Sequence, residues 1–187
     1  QMRTFAIGDI HGGFKALIQV LNQLELTEED QLIFMGDYVD GWSEAAQVID
    51  FLIDFSKKFT CVFIKGNHDV WCENWLKDEN DVNPSWYLHG GKETMDSYAD
   101  FSKEDKEAYP HKFCTDRTLW EMALALDKNI EITANNYPKR LQHYHEIYIG
   151  HTPTTNYNEA YPMNAANIWN VDTGAAFKGK ITAMNIE

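Results

Sequence analysis

Little in this chain suits a disulfide scaffold, a membrane or a polyanionic partner. Its three cysteines, Cys61, Cys72 and Cys114, are odd in number and show no CxxC spacing, which fits a reducing cytoplasm better than a disulfide framework. No apolar run approaches the roughly 18 residues that span a bilayer, so no membrane partner is expected. Lys and Arg number 16 against 29 Asp and Glu, a formal charge of −13. With no dense basic stripe to follow a phosphate backbone, this argues against nucleic acid as a partner. Ahead of Thr4-Phe5-Ala6-Ile7 there is no charged leader, long apolar stretch or small-residue cleavage site, so a cytoplasmic location is expected. Internal repeats, low-complexity tracts and linkers are also missing, and 187 residues suit one domain over 2–187 with a sizeable core.

What is present is a rhythm. The apolar run Thr4 to Ile7 closes on Gly8-Asp9-Ile10-His11-Gly12-Gly13, after which Phe14, Leu17, Ile18, Leu21 and Leu24 recur at helical spacing. The run 32–35 leads into Gly36-Asp37-Tyr38-Val39-Asp40-Gly41 and a helix from about Ser43; the run Cys61 to Ile64 leads to Gly66-Asn67-His68-Asp69. From Val70 to about Asp105 the periodicity weakens, and short helices and loops overhanging the site are expected. Residues 118–127 have the composition of a helix. Three further strand candidates follow, near 146–149, 168–171 and 181–186, spaced closely enough to pair with one another. The pattern predicts an α/β fold with its site along the carboxyl edge of the strands.

Five strand ends deliver Asp, His or Asn: Asp9 and His11, Asp37 and Asp40, Asn67 and His68, His151, and Asp172. Any single loop reads equally well as a turn, with Asp37 capping the next helix. Five in succession are hard to explain as caps alone. Mixed carboxylate, imidazole and amide donors suit a borderline divalent metal, and two ions about 3.5–4 Å apart could share a bridging carboxylate and clamp a phosphoryl oxygen. Part of the negative charge would then be offset locally, where phosphate approaches.

Gly-Asp-Ile-His-Gly at 8–12, Gly-Asp-Tyr-Val-Asp-Gly at 36–41, Gly-Asn-His-Asp at 66–69 and Gly-His-Thr-Pro at 150–153 resemble the ordered motifs of the calcineurin-like metallophosphoesterases. More narrowly they resemble the PPP-type serine/threonine phosphatases in a small bacterial and phage form. The resemblance implies a β-sandwich core flanked by helices, with two divalent ions at the strand carboxyl ends: manganese first, with iron, zinc, cobalt or magnesium as alternatives. It makes Asp9 and His11 ligands of one metal, Asp37 the bridge, and Asn67 and His151 ligands of the other. His68 becomes the general acid, oriented by Asp40; for Asp172, support of the ligands is favoured over direct ligation. The implied reaction is hydrolysis of phosphomonoesters by metal-bound hydroxide, with phosphoserine or phosphothreonine in a protein, or a small phosphoester, as substrate. The alternatives are a dinucleoside polyphosphate hydrolase of the diadenosine tetraphosphate type and a catalytically impaired metal-binding protein that recruits a partner.

Two departures stand out. Gly41-Trp42 occupies the place where the family carries a phosphate-gripping arginine. Arg117 resembles a second phosphate-binding arginine of some relatives, although a surface or helix-capping role is equally open, and Arg140 and Lys65 are weaker candidates. The family also has a strand ending in His-Ala-Gly or His-Gly-Gly before the last histidine motif, and none is legible here; an omitted segment near 105–112 is the favoured explanation. His89-Gly90-Gly91 spells that tripeptide, but its Trp86-x-x-His89-Gly90-Gly91 context resembles a Trp-x-x-Asn-Gly-Gly loop rather than a ligand site. His111 reads as a surface histidine.

Overall fold

The computed structural model describes residues 2–99, 118–126, 128, 130–135 and 137–187. Strand β1 (Thr4–Ile7), helix α1 (Phe14–Gln23), β2 (Gln31–Phe34), α2 (Ala45–Phe55) and β3 (Thr60–Phe63) reproduce the expected rhythm to within a residue or two. β1 pairs with β2 and β2 with β3, all parallel. Because the last strand, β7 (Ala183–Asn185), closes antiparallel on the free edge of β1, the sheet order is β3-β2-β1-β7. An inner strand covered on both faces needs an unbroken apolar run. Phe5, Ala6 and Ile7 are accordingly all buried. α1 turns Leu17 and Leu21 into this core, and Phe14 meets Phe51 of α2 edge-on at 5.7 Å.

A second sheet, in the order β4-β6-β5, comprises β4 (Ile147–Ile149), β5 (Met163–Ala165) and β6 (Ile168–Asn170). Its own apolar cluster gathers Trp120 and Ala123 of α6 (Thr118–Ala125), Tyr137, Leu141 of α7 (Lys139–Gln142), and Ile168. The two sheets meet at their carboxyl ends. A Cβ on Gly8, just after β1, would lie 2.3 Å from the carbonyl oxygen of Val171, just after β6. That close approach brings loops from both sheets to one point.

Three expectations need correction. The late strands do not pair only with one another: β4 and β6 do, in parallel, but β7 joins the first sheet. Its apolar pattern fits either partner, and the vacant edge of β1 decides. β5 escaped notice because Met163-Asn164-Ala165 is too short to show an alternation. The segment after the third motif opens on an 11-residue helix, α3 (Asn67–Lys77), so Asn67 and His68 sit in its first turn. Its period was hidden because its buried face carries Asp69 and Glu73 beside Cys72. α4 (Pro84–Trp86) and α5 (Lys92–Ser97) follow, separated by a π-type turn over 87–91 that breaks at His89 and Gly90. α5 docks on α2, where Ser97 Oγ accepts the Ala46 N–H at 3.2 Å. Arg117, His111 and the join expected near 105–112 lie outside the described residues. No described helix is long and apolar enough to cross a membrane.

Phe34 is fully buried, stacked on Phe63 at 5.1 Å and edge-on to Phe55 at 6.4 Å. Phe34→Ala is expected to lower unfolding free energy by about 3–5 kcal/mol in urea denaturation, since the cavity it leaves is lined by ring faces that cannot collapse.

Candidate metal centre

The loop after β1 carries Asp9 and His11, and the loop after β2 carries Asp37 and Asp40. Backbone hydrogen bonds splice them: the N–H groups of Ile10 and His11 both donate to the Asp37 carbonyl, and Gly12 N–H donates to Tyr38 O. The result is a group in which one ligand atom each from Asp9, His11 and Asp37 lies within 4.8 Å of the others, all three residues buried. His11 Nδ1–H donates to the Val39 carbonyl at 3.2 Å, which leaves Nε2 facing Asp9 Oδ2 at 3.8 Å with its lone pair available. Burial, and then the nearby His68, push the His11 pKa down against the pull of Asp37. The ring is thereby kept in the neutral form that binds metal.

The remaining expected residues arrive from the other strand ends. His151, after β4, donates its N–H to Asp9 Oδ2 at 3.1 Å and sets Nδ1 3.6 Å from Asp37 Oδ2. Asn67, on the first turn of α3, lines the same cavity of about 740 Å³. Its buried Oδ1 has no hydrogen-bond partner among the described residues. A buried carbonyl oxygen left unpaired is costly unless a cation takes it. Asp172, after β6, accepts the Gly174 N–H at 2.9 Å; burial and the charge of Asp37 raise its pKa to about 6. Burial and the charges of Asp172 and Asp37 likewise push Asp9 well above the carboxylate range. Against the same burial, the hydrogen bond from His151 and the imidazoles of His11, His68 and His151 hold Asp37 down at about 2. Three crowded carboxyls, a neutral imidazole and an orphaned amide oxygen make a donor set that divalent cations satisfy.

Backbone geometry points to the same place. His11, Asp37, Asp40 and His151 all have positive φ, at 51°, 50°, 73° and 72°. Side-chain-bearing residues rarely enter this region, and they do so where surrounding structure forces them. Two glycines leave room for the carboxylates. A Cβ on Gly66 would sit 1.9 Å from Asp37 Oδ1, and one on Gly150 would sit 2.3 Å from Asp9 Oδ1.

His68 stands beside this group, its ring edge-on to His11 at 4.9 Å. Its Nδ1 lies 2.6 Å from Asp40 Oδ2. Burial lowers its pKa, but the hydrogen bond to Asp40 and the charges of Asp37, Asp40 and Asp69 more than compensate, so the net shift is upward. Sequence reasoning missed what holds Asp40. The Trp86 indole N–H donates to both of its carboxylate oxygens at 2.9 and 2.8 Å, and the Thr94 hydroxyl donates to Oδ1 at 2.6 Å. Thr94 Oγ1 in turn accepts the Asp40 N–H at 2.9 Å. It also missed Asp69, whose carboxylate accepts the N–H groups of Asp37, Tyr38 and Gly66 at 2.7, 2.8 and 2.8 Å. The one available hint was the Trp86-x-x-His89-Gly90-Gly91 motif.

The candidates for the missing phosphate clamp fare differently. Lys65 is buried and bound to Glu73 Oε2 at 2.5 Å, away from the cavity. Arg140 is exposed on α7 and does not line the cavity. Gly41, where arginine was expected, has φ 89°, and Gly90 packs so tightly on it that a Cβ there would lie 2.3 Å from the Gly41 nitrogen. His89 is on the cavity wall, its Nδ1–H donated to Ser85 O at 2.6 Å.

The profile of the family described as calcineurin-like phosphoesterase matches residues 2–176. The asymmetrical bis(5'-nucleosyl)-tetraphosphatase PrpE of Oceanobacillus iheyensis is 25% identical over 228 aligned residues, covering 97% of this chain and 88% of that protein. An alignment longer than this chain means that the relative holds residues this chain lacks. A symmetrical bis(5'-nucleosyl)-tetraphosphatase of a Marinomonas species is 34% identical over 70 residues, 37% of this chain and 25% of that protein. A solved structure of a candidate diadenosine tetraphosphatase superposes with a TM-score of 0.61 at 16% identity, covering 98% of this chain and 89% of that one.

Two outcomes are expected. Gly66→Ala should weaken manganese binding at least tenfold in calorimetry by displacing Asp37, with far-UV circular dichroism unchanged. In metal-free protein, Asp40→Asn should lower the His68 pKa measured by NMR titration, because burial then acts without the carboxylate that offsets it.

Proposed function

The chain belongs to the calcineurin-like phosphoesterases, metal-dependent hydrolases of phosphoric esters, and from that membership we propose that it cleaves dinucleoside polyphosphates of the diadenosine tetraphosphate kind. The observation that carries this reading is the bis(5'-nucleosyl)-tetraphosphatase that aligns with 97% of the chain. It displaces phosphoserine and phosphothreonine proteins, the substrate class suggested by the motifs, to second place.

On this reading Asp9, His11 and Asp37 would hold one divalent ion, and Asp37, Asn67 and His151 a second; bound there, the ions would acidify a water and neutralise charge on the phosphoryl oxygens. The protein's own part lies in what surrounds those ions. His11 and Asp9 keep their positions because Val39 and His151 hydrogen bond to them. Asp40 accepts the Nδ1 proton of His68, which turns Nε2 and its proton toward the departing oxygen. Water adds to phosphorus, one P–O bond breaks, and the His68 proton neutralises the fragment that leaves.

The raised His68 pKa has a definite sign. The acid is functional while protonated, so rate should fall as pH rises through that pKa, and Asp40→Asn should move this alkaline limb to lower pH. An alkoxide leaving group is a strong base and needs a proton donor; a leaving polyphosphate is far more acidic. His68→Ala should therefore slow hydrolysis of an alkyl phosphomonoester by about 10²–10⁴-fold and the tetraphosphate by a smaller factor, with metal content unchanged in elemental analysis. The His68–Asp40 pair is also the feature that favours the second reading, a phosphoserine or phosphothreonine phosphatase. With manganese present, kcat/KM for diadenosine tetraphosphate is expected to exceed that for a phosphoserine peptide at least tenfold, with AMP and ATP as products, as the asymmetrical relative suggests. Preference for the peptide, or a metal-loaded protein inactive on both, would overturn the proposal.

A further inference from the structure

The cavity over the metal centre has an outer wall that hydrolysis does not use. Tyr87 and Leu88, on the π-type turn, and Phe177, in the turn Ala175–Phe177, line it with 42%, 80% and 65% of their surface exposed. Single exposed apolar residues are ordinary, but three large ones around one polar cavity form a patch that asks for a cover. Trp71 extends the apolar side inward, its ring 5.1 Å from His68 and edge-on to it.

Charge narrows what that cover is. Among the described residues the lining offers one lysine, Lys92, and its ammonium is paired with Asp96. Among the described residues no guanidinium or free ammonium of the lining reaches for the phosphates beyond the one being cleaved. What this wall offers the rest of the substrate is a grip on its uncharged part. Planar rings on the wall match a planar partner, because base and aromatic side chain stack through their π faces. His89 adds a polar handle: with Nδ1–H donated to Ser85 O, Nε2 of the neutral ring is an acceptor suited to an exocyclic amine.

We propose that Tyr87 and Phe177 determine specificity by forming a stacking surface for a purine base of the substrate, next to the metal centre. The inference rests on the reading of this site as a nucleotide phosphoesterase. It predicts affinity for the nucleoside part itself, and binding therefore tests it independently of turnover.

Calorimetry on manganese-loaded protein should give AMP at least tenfold tighter binding than ribose 5-phosphate, which carries the same phosphate without a base. Tyr87→Ala and Phe177→Ala should each cut that preference about fivefold to tenfold and leave ribose 5-phosphate affinity within twofold, while Tyr87→Phe retains the preference. Both side chains are solvent-exposed, so the variants should fold, as thermal unfolding would check. Equal affinity for AMP and ribose 5-phosphate, or alanine variants that keep the full preference, would overturn the stacking surface. Phenyl phosphate matching AMP would overturn the purine assignment in favour of a simple aryl site. If AMP is preferred but diadenosine tetraphosphate is not hydrolysed, the stacking surface stands and the proposed substrate falls; hydrolysis without base preference gives the reverse.

Discussion

The Asp69 carboxylate is the constraint on which the rest of the site depends. It is fully buried and accepts three backbone N–H groups, from Asp37, Tyr38 and Gly66. Those donors belong to two different strand ends, so one side chain fixes the loop after β2 to the first turn of α3. Buried N–H groups need partners, and here the partner is supplied across the gap rather than along it. With the brace in place, Asp37 is pressed against the bare Gly66 and aligned with the His68 N–H, which donates to its Oδ1 at 3.1 Å. A buried ion pair serves the same end: Lys65, immediately before Gly66, is held by Glu73 of α3, which also binds Lys77. The first turn of α3 is thus pinned at both sides before any metal arrives.

A fold that gathers Asp9, Asp37 and Asp172 in a water-poor pocket stores electrostatic repulsion. Burial and mutual repulsion raise Asp9 and Asp172 while the surrounding histidines lower Asp37, so as pH falls the outer carboxyls take up protons before the central one does. That central carboxylate is the one expected to bridge two ions. Cations and protons would compete for the same oxygens, and of the three carboxyls Asp37 is the last to be protonated.

Strands β1, β2 and β3 were legible because short apolar runs closed by glycine are a local signal, and the loop residues at their ends could be named from the same stretches. The destination of β7 was not legible, since an apolar run does not state which open edge it will cover. Nor was α3, whose buried face is built from Asp69, Cys72 and Glu73, so its amphipathic period is masked by the polar work it does. Trp86 and Thr94 were hidden for a different reason. Their role is set by tertiary contact with Asp40 across 46 and 54 residues of chain, and a tryptophan in a weakly periodic stretch looks like any core residue until its N–H is seen to be donated. The missing arginine at Gly41 was legible as an absence. The positive φ that Gly41 adopts, and the close approach of Gly90 to its nitrogen, were not.

Segment 84–97 is one unit with two faces. Its inner face supplies Trp86 and Thr94, which fix Asp40 and through it the proton on His68. Its outer face supplies Tyr87 and Leu88, which line the cavity above. Trp86 and Tyr87 are adjacent in sequence, and the backbone break at His89–Gly90 seats the segment directly on Gly41. A ligand that packs against Tyr87 therefore presses on the same short turn that holds Asp40. On the proposed reading, contact with the substrate's outer portion and the alignment of His68 would be mechanically joined, because the turn bearing Tyr87 lies between Trp86 and Thr94, whose buried hydrogen bonds hold Asp40. A Cβ at position 41 would face Ala176 and His11 at an ordinary 3.6 Å, so what stands against an arginine there is the φ of 89° that Gly41 adopts, a conformation side-chain-bearing residues rarely take.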